Sequence, residues 1–190
     1  MPNILWTLLV ATVTALVTTV ATGVLVIPRL EARKRRIQEA HTARDTFNSN
    51  LLKIISACAR LQSLPLPAAD DPDCTEVVRV RLAAERERWM QQLDDATRWL
   101  IDHVETYAAG WPLGELRTMA AHYAAASRMV MISERPEETK AELLAELAAP
   151  VQGIYFTYAW NRARNYRTDR ASLAAALARV HALPATEPTA

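Results

Sequence analysis

Residues 4–27 read ILWTLLVATVTALVTTVATGVLVI, 24 positions without a charged side chain. As a helix this run is about 36 Å long, enough to cross a hydrocarbon layer of roughly 30 Å with some tilt. The core helix of a soluble domain rarely lacks charge on every face. A cleaved signal peptide fits poorly, because Met1-Pro2-Asn3 holds no Lys or Arg, the apolar run is long, and no small-residue cleavage pattern precedes the basic cluster. The stretch is predicted to be a retained transmembrane helix over 4–27, with 1–3 as a short outer terminus.

The flank after the span sets its direction. Arg29, Arg33, Lys34, Arg35 and Arg36 stand immediately beyond it, and basic residues beside a span stay on the cytoplasmic side. The chain is therefore expected to be single-pass in the plasma membrane, with the N-terminus outside and residues 28–190 in the cytoplasm. Trp6 falls near the outer interface, where an indole is well accommodated. Within the span, Thr7, Ala11, Ala15, Thr19 and Gly23 form an i, i+4 row of small residues. Such a row lets two helix backbones approach, and Thr hydroxyls can bond across the contact, so it is a candidate self-association face. Abundant Thr and Ala could also produce it by composition alone.

Beyond Pro28, which is expected to end or kink the span, the pattern is helical. Ile37, Ala40, Phe47, Leu51, Ile54, Cys58 and Leu61 recur at spacings of three, four or seven, so residues 28–62 are predicted to form one basic juxtamembrane helix. Prolines 65, 67 and 72 mark residues 63–74 as a linker. Asp73 followed by Glu76 reads as a capping box. The next helix carries Val78, Leu82, Trp89, Leu93, Ala96, Leu100, Val104 and Tyr107 and is expected to stop at Gly110 as a left-handed cap, with Pro112 opening its successor. Further breaks are predicted at Ser133–Pro136 and Pro150, with Asp169 capping a last helix to about Leu183 and a tail over 184–190. No stretch alternates as a strand would. The fold class is all-α: a transmembrane helix, then a bundle of about four to five helices over 75–183 packed with the distal part of the preceding helix.

Charge divides along the chain. Residues 28–69 carry +5, residues 70–149 carry −7 and residues 150–190 carry +3, for a total of +1. The basic first part suits a membrane surface; the acidic middle reads as solvated helix faces. With 51% hydrophobic and 23% charged residues the chain can bury a core. Only four glycines are present, which excludes the glycine-rich phosphate loops of nucleotide-binding folds.

Chemistry is sparsely signalled. The four histidines 41, 103, 122 and 181 lack the Glu-x-x-His and His-Glu-x-x-His spacings of metal sites, so no metal or other cofactor and no catalytic residue is expected. Asp102, His103 and Glu105 are the best polar grouping, and such groupings are common on exposed helix faces. Cys58 reads as a small core residue; Cys74 could meet it across the linker, but both should remain thiols in a reducing cytoplasm. From Ile154 to Arg170 aromatic and basic residues interleave. Arg162, Arg164, Arg167 and Arg170 are candidates for binding anionic lipid or nucleic acid, against a simpler reading in which Ile154, Tyr155 and Tyr158 enter the core beneath a solvated rim. The leading functional expectation is a non-enzymatic, membrane-anchored adaptor or assembly protein whose partners are the bilayer and another protein or a second copy. A tethered sensor or effector acting through 154–170 ranks second, with nucleic acid the weaker of its two ligands, and an enzyme with dispersed groups ranks third.

Overall fold

The computed structural model describes residues 2–21, 23, 27–68, 75–111 and 113–182. All of the regular structure among them is helical: α1 (Pro2–Ala21), α2 (Ile27–Ser63), α3 (Glu76–Asp102), α4 (Val104–Ala109), α5 (Gly114–Ile132), α6 (Glu137–Phe156) and α7 (Ala159–Ala182). The chain divides into two compact units, Met1–Thr42 and Ala43–Ala190.

In the first unit, α1 covers most of the predicted span, and residues 22 and 24–26 lie outside the described residues. Pro28 occupies the first turn of α2, where its missing N–H has no intrahelical partner to lose. The threonines of α1 turn their hydroxyls onto their own backbone: Thr7 donates to Asn3 O at 2.6 Å, Thr14 to Val10 O at 2.8 Å and Thr19 to Ala15 O at 2.8 Å. Each hydroxyl proton is thus satisfied without water, as an apolar solvent requires.

The second unit is organised around α5, which packs against α3, α4, α6 and α7. The distal part of α2 adds Phe47, Leu51, Ile54, Cys58 and Leu61 to the core, while Ile37, earlier on the same stripe, is 50% exposed. Phe47 is the hub. It stacks on Tyr107 at 4.6 Å and meets Tyr155 and Tyr123 edge-on at 5.8 and 6.3 Å, geometries that aromatic quadrupoles favour.

Several boundaries differ from the sequence expectation. The N-cap of α3 is Thr75, whose Oγ1 accepts from Val78 N; Asp73 lies outside the described residues. The helix expected to run to Gly110 breaks at His103. His103 N–H still closes the ordinary helix bond to Trp99 O at 3.1 Å; the break frees the carbonyls after it, and the Tyr107 hydroxyl takes that of Leu100 at 2.9 Å. Gly110 is right-handed, with φ −68° and ψ −11°. Pro112 lies outside the described residues, and α5 opens after Leu113. Pro150 sits inside α6. A mid-helix proline costs about 3 kcal/mol, but Leu147, Val151 and Ile154 around it are fully buried, and each such side chain returns roughly 1.5–3 kcal/mol. The break falls instead at Thr157–Tyr158, so Asp169 lies within α7 and does not cap it. Gly153 permits this close α6–α7 approach, because a Cβ there would collide with the Asp169 carboxylate.

With no left-handed residue among those described, the helices end by other means. The end of α5 is served by the Ser133 N–H and hydroxyl, and at three other helix ends arginines supply donors. Arg86 donates to Leu61 O and Leu64 O at the end of α2, at 3.1 and 2.8 Å. Arg135 donates to Val180 O near the end of α7 at 3.1 Å, and Arg44 donates to Gly110 O after α4. A guanidinium on C-terminal carbonyls satisfies orphan acceptors and complements the negative end of the helix dipole.

Candidate functional site

Two places carry features that internal packing leaves unused. The first is the start of the chain. Over Asn3–Val20 none of the α1 window is buried, and the helix is long and apolar enough to cross a membrane. Arg29, Arg33, Lys34, Arg35 and Arg36 are all exposed in the first turns of α2. At 100° per residue Arg29, Arg33 and Arg36 share one side while Lys34 and Arg35 point elsewhere, so charge surrounds the helix. Of the small-residue row, Thr7, Ala11, Ala15 and Thr19 lie on α1 and are exposed, and Gly23 falls beyond its end with nothing within 4 Å of an added Cβ. Because Thr7 and Thr19 donate to their own helix, only their acceptor lone pairs remain for a neighbouring helix.

The second place is the junction of α6 and α7, where the structure separates the arginines grouped by sequence. Leu173, Ala176 and Val180 face the core, which fixes the opposite side of α7 as solvent. Trp160, Arg164 and Arg167, spaced i, i+4 and i+7, fall on that solvent side, and Trp160 is 81% exposed. Arg170 instead pairs with Glu115 at 2.8 Å. Arg162 is half-buried and lines a groove of about 490 Å³ with Arg44, Trp111, Leu113, Leu116, Ile154, Ala163 and Tyr166. Arg44 lies 4.5 Å above the Trp111 ring, a cation–π contact.

Tyr158 departs from expectation. Ile154 and Tyr155 are buried as predicted, but Tyr158 is 85% exposed, because the helix break at Thr157 resets the rotation that would have turned it inward. Tyr158→Ala is therefore expected to change unfolding stability by about 0.5 kcal/mol or less, measured by urea titration of the full chain in mild detergent. A loss above about 2 kcal/mol would show that the ring is packed.

The titratable groups furthest from their ordinary ranges are structural. Burial pushes the Cys58 thiol up to about 12 and raises the phenols of Tyr107, Tyr123 and Tyr155, which keeps all four neutral. Cys74 lies outside the described residues. His103 is exposed, stacked on Trp99 at 4.7 Å, with Nδ1 donating to Trp99 O; Asp102 and Glu105 are exposed beside it. No group of three His, Cys, Asp or Glu side chains placed to hold a metal ion occurs among the described residues. A polar groove between α2 and α3 contains Lys53, Arg60, Arg88 and Asp95, all exposed, with Arg88 paired to Glu85. It gives acid–base chemistry no desolvated environment.

Sequence reasoning missed Arg86 and the Arg44–Trp111 pair. Arg86 was signalled by position, since it fills the i+4 step between Leu82 and Trp89 on an apolar stripe. The pairing of Arg44 with Trp111 depends on tertiary packing and has no local signature. Comparison of the chain with protein-family models, curated proteins and solved structures finds no match.

Proposed function

We propose that this chain is a single-pass, membrane-anchored helical adaptor or assembly protein without catalytic activity. The observation that carries the reading is α1: an uncharged helix with no buried residue across its 18-residue window, followed by a helix charged on every side. In water that apolar surface would be a large liability. In a bilayer it is matched, and the encircling arginines fall at headgroup depth on the cytoplasmic side. Residues 28–190 then lie in the cytoplasm beneath the plasma membrane, where the Ala43–Ala190 unit offers helix faces to a protein partner. The Thr7–Ala11–Ala15–Thr19 face offers a route to a second copy.

The expected result is that the full chain stays with membranes through alkaline carbonate extraction, and that protease outside intact cells leaves the region after residue 36 uncut. Digestion of that region from outside reverses the orientation. A soluble product whose first residue lies beyond the apolar run makes α1 a cleaved signal and ends the anchor reading.

A further inference from the structure

We infer that the solvent face of α7 docks on an anionic membrane surface, through Trp160, Arg164 and Arg167 with Tyr158 beside them. Exposed Trp and Tyr are costly in water and favourable at the headgroup layer, which takes an apolar ring and a polar edge together. Tyr158 and Trp160 are 85% and 81% exposed. Neither Arg164 nor Arg167 has an ion-pair partner among the described residues, whereas Arg170 is paired with Glu115 and Arg179 with Glu142 and Glu146. Residues 159–168 contain no acidic side chain, so their positive charge is left for an external anion.

Lipid is favoured over nucleic acid because α1 already carries a bilayer-sized apolar helix. An anchored chain meets headgroups at high effective concentration, so a weak patch suffices. Two arginines near an anionic leaflet are together worth about 30-fold in the docked-to-undocked ratio, and salt should weaken the contact. This inference rests on the membrane-anchor reading, and Trp6 in α1 allows the two to fail separately.

The test uses the full chain in lipid nanodiscs with bromine-labelled acyl chains, which quench tryptophans at the bilayer. Trp6→Phe and Trp160→Phe identify the two contributions by difference. With phosphatidylglycerol present, both Trp6 and Trp160 should be quenched; with phosphatidylcholine alone, only Trp6. Arg164→Gln with Arg167→Gln should reduce the docked-to-undocked ratio about 30-fold and leave the Trp6 contribution unchanged. Because all three side chains are exposed, their replacement should not shift the melting temperature. Quenching of Trp6 without Trp160 in anionic discs overturns docking and leaves anchoring intact. If Trp6 escapes quenching, anchoring fails, and the response of Trp160 to added anionic vesicles decides docking alone. Arginine-dependent binding of a single-stranded RNA without Trp160 quenching assigns the face to nucleic acid and overturns the lipid inference.

Discussion

Replacing Phe47 with Ala is expected to destabilise the Ala43–Ala190 unit by about 3–5 kcal/mol, the range for removing a fully buried phenylalanine. Phe47 has no exposed surface, and its ring touches aromatic residues from three other helices: Tyr107 of α4, Tyr123 of α5, and Tyr155 and Phe156 of α6. The hole left behind is bounded by stiff rings that cannot collapse into it, so the high end of the range is favoured. Since domains have total stabilities of about 5–15 kcal/mol, the variant should be close to unfolded at growth temperature. Phe47→Leu keeps most of the volume and should lose about 1–1.5 kcal/mol. Urea unfolding in detergent, followed by near-ultraviolet circular dichroism, reads both. An unchanged midpoint for Phe47→Ala would mean that α2 does not pack as described.

Phe47 was legible in sequence because it lies on the i, i+3, i+4 stripe of its helix, and the all-helical class followed from the same periodicity. Most of the predicted faces of α2 and α3 are the buried ones. What failed was local, and each failure has a physical cause. Pro150 looked like a terminator, yet three fully buried neighbours outweigh one lost hydrogen bond. Tyr158 looked inward because the rotation was counted through Thr157, where the backbone is extended, with φ −76° and ψ 155°. Gly110 looked like a left-handed cap, but its N–H and that of Trp111 take the Tyr107 and Ala108 carbonyls in tight i→i−3 bonds. Arg44 takes the Gly110 carbonyl, so no left-handed turn is needed. Of the candidate sites, the basic flank and the aromatic–basic stretch could be located in sequence. The division of the stretch into a solvent stripe, a groove residue and a paired Arg170 could not, because it depends on where α7 begins.

Three arginines, Arg44, Arg86 and Arg135, serve helix ends that lack a left-handed glycine cap. Helices commonly end with a left-handed glycine that lets the backbone satisfy its own last carbonyls. A chain with four glycines in all, and none in that conformation among the described residues, must find other donors. Arginine is well suited to this capping role, since five N–H groups in a rigid fork can serve several acceptors at once, which a lysine ammonium does less well. Only three lysines occur in the sequence, and arginine supplies the donors that reach between helices to these terminal carbonyls.

Arg86 shows how much one such fork holds. Its residue is 4% exposed, and it joins the end of α2 to the start of α6 by donating to Leu61 O, Leu64 O, Glu137 and Glu138. Arg86→Met keeps most of the length of the stem and removes every donor. The Glu137 and Glu138 side chains are 45% and 70% exposed, so water can replace the guanidinium there and each ion pair is worth under about 1 kcal/mol. The Leu61 carbonyl is buried beneath the arginine and the Leu64 carbonyl is partly buried, and a buried acceptor left unpartnered costs about 1–3 kcal/mol. The expected loss is therefore about 2–4 kcal/mol, mostly from the carbonyls. Two measurements separate the contributions. The double variant Glu137→Gln, Glu138→Gln should lose less than about 1 kcal/mol, and the loss in Arg86→Met should hardly change between low and moderate salt, because screening acts on the ion pairs and not on the carbonyl bonds. A double Gln variant as unstable as Arg86→Met, with a deficit that shrinks as salt rises, would place the stabilisation in the ion pairs and refute the capping role.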